Sequence, residues 1–168
     1  MQHSMYQASA PVFTQGLTGL RTGLVKAAAH VEAHKIDPTA LLLFRLYPDM
    51  FHFTKQVQAA TDFARGATAR LAGQEPAKYE GDESSFPGLI ARVDAALAYV
   101  ASFDATAIDG SEDLEITLQR KAGPVVVKGH AYLLQQALPN FYFHITTAYA
   151  ILRHNGVELS KSDFLGVA

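Results

Sequence analysis

The sequence predicts an all-α fold on three observations. Long stretches carry apolar residues at helical spacing, one short stretch alternates instead, and 168 residues at 49% hydrophobic content suffice for one core without staples. A single domain spanning residues 1–168 is therefore expected, organised as four long helices with a short connecting helix and a small β-hairpin before the last of them.

The first helix starts at Pro11. Phe13, Leu17, Leu20, Leu24 and Val31 share one face at about 100° per residue, with Ala27 and Ala28 beside them, and the helix ends near Lys35. In "IDPTALLLFRLYPD", Asp37 is placed as an N-cap and Pro38 as the first helical residue, so a short connecting helix precedes the break at Pro48. Beyond it Met50, Val57, Thr61, Ala64, Thr68 and Leu71 line a second long helix, and Gly73 stops it.

The polar, turn-rich "GQEPAKYEGDESS" reads as a surface loop, with Ser85 capping a third helix through Leu89, Val93, Ala96, Leu97 and Val100 to about Phe103. Then the period changes. Leu114, Ile116 and Leu118 alternate with polar residues, "AGP" can turn and "VVVKG" is β-branched, which together predict a hairpin. The last helix covers "LPNFYFHITTAYAILRHNG" after a helical lead-in, "HAYLLQQAL". Pro139, which has no N–H to give, is expected to interrupt it.

Composition excludes several functions. The formal net charge is −2 with Lys and Arg scattered along the chain, which offers no footprint for nucleic acid or an anionic bilayer. Without cysteine there is no thiolate chemistry, so any metal would need His, Asp or Glu. The N-terminal "MQHSMYQASAPVF" lacks a basic region and a continuous apolar run, and no later run is long enough to span a bilayer; the expectation is a cytoplasmic protein.

Two long words, "YPDMFHFTKQVQAATDFARGATARLAG" (residues 47–73) and "YLLQQALPNFYFHITTAYAILRHNGVELSKSDFLG" (residues 132–166), are joined by "VFTQGLTGL" near the start and "DESSF" in the loop. Together they resemble an uncharacterised bacterial family, the domain of unknown function numbered 1993, of the DinB/YfiT-like superfamily of four-helix bundles. The resemblance implies that fold. It also implies what relatives commonly hold, a divalent metal on one histidine of helix two and a His-x-x-x-His pair of helix four; some relatives are thiol-dependent transferases or isomerases.

Matched to that pattern, His144 falls at the second member of the pair and Asn140 at the first, so the ligand set is incomplete. Asn is a far weaker ligand than imidazole for zinc or nickel. On helix two, His52 points away from the apolar stripe, and Gln56, a poor ligand, is nearer. His154 lies ten residues beyond His144, about 15 Å along a helix, too far to share an ion. His30 and His34 have i,i+4 spacing but no evident third ligand, and read as a solvated pair. No metal cofactor is therefore expected; if one binds, His144 holds it.

No zincin helix, phosphate-cradling glycine loop or nucleophile elbow is present in the sequence, and whether the protein is an enzyme stays open. Asp82 and Glu83 read as a solvated turn, not an acid/base pair. Beside the stripe Phe141, Ile145, Ala148 and Leu152, His144 is either a satisfied core histidine or part of a pocket for a small polar ligand, with Asn140, Thr147, Tyr149 and Gln56 as companions. Tyr142 and Tyr149 mark another face of a helix apolar nearly all round, and a homodimer is the expected partner. Arg153, His154 and Gly156 are termination chemistry.

Overall fold

The computed structural model describes residues 4–80 and 83–167. Its four long helices are α1 (Ala10–Ala33), α3 (Phe53–Leu71), α4 (Phe86–Ala101) and α7 (Leu138–His154). They surround one core, with α1 packed on α4 and α7, and α3 packed on α7 and α4. Short helices α2 (Pro38–Leu42), α5 (Ala105–Ile108), α6 (Gly129–Tyr132) and α8 (Lys161–Leu165) fill the connections, and strands β1 (Glu115–Arg120) and β2 (Gly123–Lys128) form the hairpin.

Local chemistry sets the boundaries. Asp37 accepts from the Thr39 N–H at 2.9 Å and Pro38 follows it, starting α2. Ser85 accepts from the Gly88 N–H at 3.1 Å and starts α4. Gly73 leaves α3 at φ +68, a conformation that costs glycine nothing. In the hairpin, Ile116 pairs with Val127 and Leu118 with Val125; Ile116 is buried, while Val125 and Val126 stay exposed.

Small residues bring α1 close to its neighbours. A Cβ on Gly16 would lie 2.6 Å from the Phe141 ring, and one on Gly19 would lie 2.3 Å from the Phe164 carbonyl oxygen. At the centre, Phe13 and Phe141 meet edge to face with centroids 5.1 Å apart, and both are fully buried.

Pro139 does not interrupt the last helix. Helical backbone runs from Gly129 to His154, and the turn before the proline, Leu133–Ala137, widens to π geometry. A π turn shifts the bonding ladder by one residue, and Pro139 then occupies the first turn of α7, where a missing N–H is tolerated. The short helices α5 and α8 lack a long periodic stripe. Asp104 and Ser160, which accept from Ala107 N–H and Asp163 N–H, start them.

Candidate functional site

The seam between α3 and α7 carries the only buried histidine among the described residues. His144 is 7% exposed because its face of α7 turns toward α3, where Gln56, 1% exposed, lies opposite. The Gln56 Nε2 donates to the Phe51 carbonyl at 3.1 Å, so the amide oxygen is the end presented to His144. An oxygen there needs a donor, and the ring Nδ1 sits 2.7 Å away. The neutral imidazole therefore carries its proton on Nδ1 and its lone pair on Nε2, for which no protein donor is found among the described residues.

Rings enclose the imidazole. Phe63 stacks on it at 5.6 Å between centroids with planes 19° apart, Phe51 lies nearly parallel at 6.3 Å, and Phe143 meets it edge-on at 5.3 Å. Burial among them pushes the His144 pKa below the ordinary 6.5, so the ring is neutral near pH 7. Phe51 and Phe143 are about half exposed, so this ring-walled slot, occupied by the imidazole itself, reaches the surface. Chemically, the slot offers a hydrogen-bond acceptor between flat apolar walls.

The remaining candidates sit at varying distance from the slot. Asn140, one turn before His144, is exposed and donates to the Gln136 carbonyl at 2.7 Å. It lines an open groove of about 780 Å³ under the hairpin, which reaches the slot only at Phe63. Thr147 is buried and its hydroxyl is committed to the Phe143 carbonyl at 2.7 Å. Tyr149 stands elsewhere: it packs edge-on against Phe164 of α8.

Among the described residues the other histidines do not converge on this seam. His52 caps α3, accepting from the Lys55 N–H at 3.3 Å through Nδ1. The His30 and His34 rings meet at 4.3 Å with planes tilted by 36°, and His154 lies against Phe44 at 5.5 Å. Among the described residues no three His, Cys, Asp or Glu side chains are grouped to hold an ion. The donor chemistry of the seam points the same way, since Gln56 Oε1 and His144 Nδ1 face each other and not a common centre.

A second polar cluster, missed by sequence reasoning, lies on the other flank of α3. Arg92 of α4 is 5% exposed and donates through Nε to the Thr61 hydroxyl at 2.6 Å, with its terminal nitrogens on Glu83 and Asp62. Glu83 is thus no solvated turn residue: it is largely buried, bonded to Arg92 and Gln58, because a buried guanidinium needs carboxylates. Asp82 lies outside the described residues. Arg65, 7% exposed, shares the cluster. The signal was present in the sequence, since both arginines fall in the apolar registers of their helices, Arg65 between Thr61 and Thr68 and Arg92 beside Leu89 and Val93.

Comparison with known proteins matches residues 5–165 to the family described as Domain of unknown function (DUF1993). Among solved structures, the crystal structure of a DinB family member protein from Shewanella denitrificans superposes with a TM-score of 0.88 at 36% identity, covering 97% of this chain and 92% of that one. No curated protein matches the chain. No helix among the described residues is long and apolar enough to cross a membrane.

Proposed function

The chain belongs to the DUF1993 family, and on that premise we propose that it is a DinB/YfiT-like four-helix bundle, a single domain over residues 1–168, that binds a small molecule at His144 without a metal. The supporting observation is the Gln56–His144 hydrogen bond, which engages Nδ1 and leaves a neutral Nε2 lone pair on a ring packed among Phe51, Phe63 and Phe143. A helix-two glutamine stands where the superfamily resemblance calls for a histidine ligand, and Asn140 stands for the first member of the helix-four pair. With this incomplete set, the histidine is an acceptor for a ligand and no longer one of three ligands to an ion.

The ligand that fits is flat and largely apolar, with one N–H or O–H to donate to Nε2. Asn140 and Thr147, four residues before and three after His144, flank it on α7, whereas Tyr149 serves the packing of α8. In the cytoplasm, the location this reading assumes, a neutral acceptor of this kind is available without proton transfer. A set of small heteroaromatic amides and phenols tests the proposal by NMR. Binders should shift the His144 and Phe63 resonances and lose their effect in His144→Ala; a set that leaves those resonances unmoved while binding elsewhere, or not binding, contradicts it.

One observation favours a second reading, a non-catalytic homodimer. Leu43, Leu46, Tyr47 and Phe51 are all more than one-third exposed, and so are Tyr142 and Phe143 on α7. Light scattering at low micromolar concentration separates the readings: a dimer that dissociates in Phe143→Asp supports an interface over the slot, and a monomer removes it.

A further inference from the structure

We propose that the flank of α3 opposite the His144 slot is a binding site for a small oxyanion, with Arg65 as its central contact. Arg65 lies in an apolar register of α3, 7% exposed, and its Nε is buried with no hydrogen-bond partner among the described residues. The guanidinium sits over Tyr99 at 4.9 Å and Tyr79 at 5.7 Å, so rings hold it in place but give it no acceptor. The ion pairs among the described residues do not include it. Arginine does not relieve such burial by losing its proton, and an unpaired buried charge is strongly unfavourable.

The neighbouring arginine shows the contrast. Arg92 shares the face of Tyr79, at 4.7 Å, yet every nitrogen of its guanidinium is engaged by Thr61, Glu83, Asp62 and the Gln58 carbonyl. Those two carboxylates are consumed by Arg92, and no other carboxylate among the described residues pairs with Arg65. Arg92 is the built-in ion pair of this flank, and Arg65 is the half-finished one.

The space for the missing partner is present. Arg65 and Arg92 line a cavity of about 480 Å³ between α3 and the loop after it, and Lys55, Arg70 and Lys78 contribute to the same wall. Among the described lining residues five cations face two carboxylates, and lysines around the opening would focus an anion inward. Arg70 is steadied by donating to the Tyr132 hydroxyl at 3.2 Å and lies over Gly66, where a Cβ would come within 2.7 Å of it. A planar guanidinium framed by aromatic rings matches the two oxygens of a carboxylate or a phosphate, the shared chemistry of the proposed ligand.

The test uses the full chain and two probes, inorganic phosphate and citrate, titrated against sodium chloride at matched ionic strength with thermal unfolding and calorimetry as readouts. Wild-type protein should gain a melting temperature that climbs with the concentration of at least one probe. Arg65→Met should weaken that probe's binding by about tenfold or more, while Arg21→Met, which removes a cation paired with Asp94 away from the cavity, should leave it unchanged. Arg65→Met should also melt higher than wild type without any probe, because a buried unpaired charge has become an apolar side chain. Which probe binds assigns the phosphate or carboxylate class. If neither stabilises the wild type, or if Arg65→Met responds as wild type does, the proposal fails. Should Arg65→Met not fold, the exposed Lys78→Ala decides: weakened probe binding supports the site and unchanged binding overturns it.

Discussion

At the residue scale, one amide fixes the state of one imidazole. Because the Phe51 carbonyl claims the Gln56 amide N–H, the oxygen remains for His144 Nδ1, and Nε2 is left as an acceptor. Long-range ¹H–¹⁵N NMR should show the Nδ1–H tautomer, with a pKa below 6.5. The sign follows from burial: the unfolded chain binds the proton more readily, so stability contributed by the neutral ring is complete above 6.5 and falls as pH drops through that value toward the lower folded one. Gln56→Glu should reverse the shift and raise the His144 pKa, since an opposite charge favours the imidazolium. Gln56→Leu should cost about 1–3 kcal/mol in chemical denaturation, because the buried Nδ1–H loses its acceptor.

The burial of His144 beside the apolar stripe of α7 was legible in the sequence, whereas its hydrogen bond to Gln56 follows only from the packing of α3 on α7. Arg65 and Arg92 were equally visible as charges in core registers, but scattered cations say nothing about which loop will bring carboxylates to them. Glu83 looked like a turn residue for that reason. Only the tertiary placement of the loop end at Glu83 to Ser85 brings it onto Arg92.

At the scale of elements, close approach and capping determine how α1 and α8 meet. Gly19 faces backbone of α8, which cannot rotate away as a side chain can. Gly19→Ala should destabilise the fold by about 1–3 kcal/mol, read by urea unfolding, whereas Gly73→Asn at the left-handed end of α3 should cost less, its Cβ meeting open space. Asp163 caps α8 and pairs with Lys26 at 2.8 Å. That lysine, with the Ser160 N–H and hydroxyl, pulls its carboxyl from 3.8 to about 2. A depressed carboxylate contributes stability above 3.8 that is lost as pH falls through about 2. Wild-type melting temperature should therefore fall more steeply between those values than that of Asp163→Asn.

Four long helices and the hairpin were legible because their apolar periods differ, 3.6 against 2. The continuity of the chain through Pro139 was not, because a proline looks the same before a break and in the first turn after a π turn. What distinguishes them is the extra residue that Leu133–Ala137 accommodates, and no single residue in "LLQQA" announces it.

At the scale of the molecule, α3 carries buried polar contacts on two flanks. One meets α7 through Gln56 and Phe63, and the other meets α4 through Thr61 and Arg65, with Arg70 lining both the groove under the hairpin and the cationic cavity. The fold itself is shared with a DinB family member, and fold carries no activity by itself. In this chain the seam histidine answers to a glutamine. Purified protein given one equivalent of zinc, nickel or manganese and then dialysed provides the direct measurement, by elemental analysis beside the ¹⁵N spectrum of the His144 ring. Metal content well below one ion per chain, unchanged in His144→Ala, with the Nδ1–H tautomer intact, is the expected result; one ion per chain that vanishes in His144→Ala would show that His144 is a metal ligand after all.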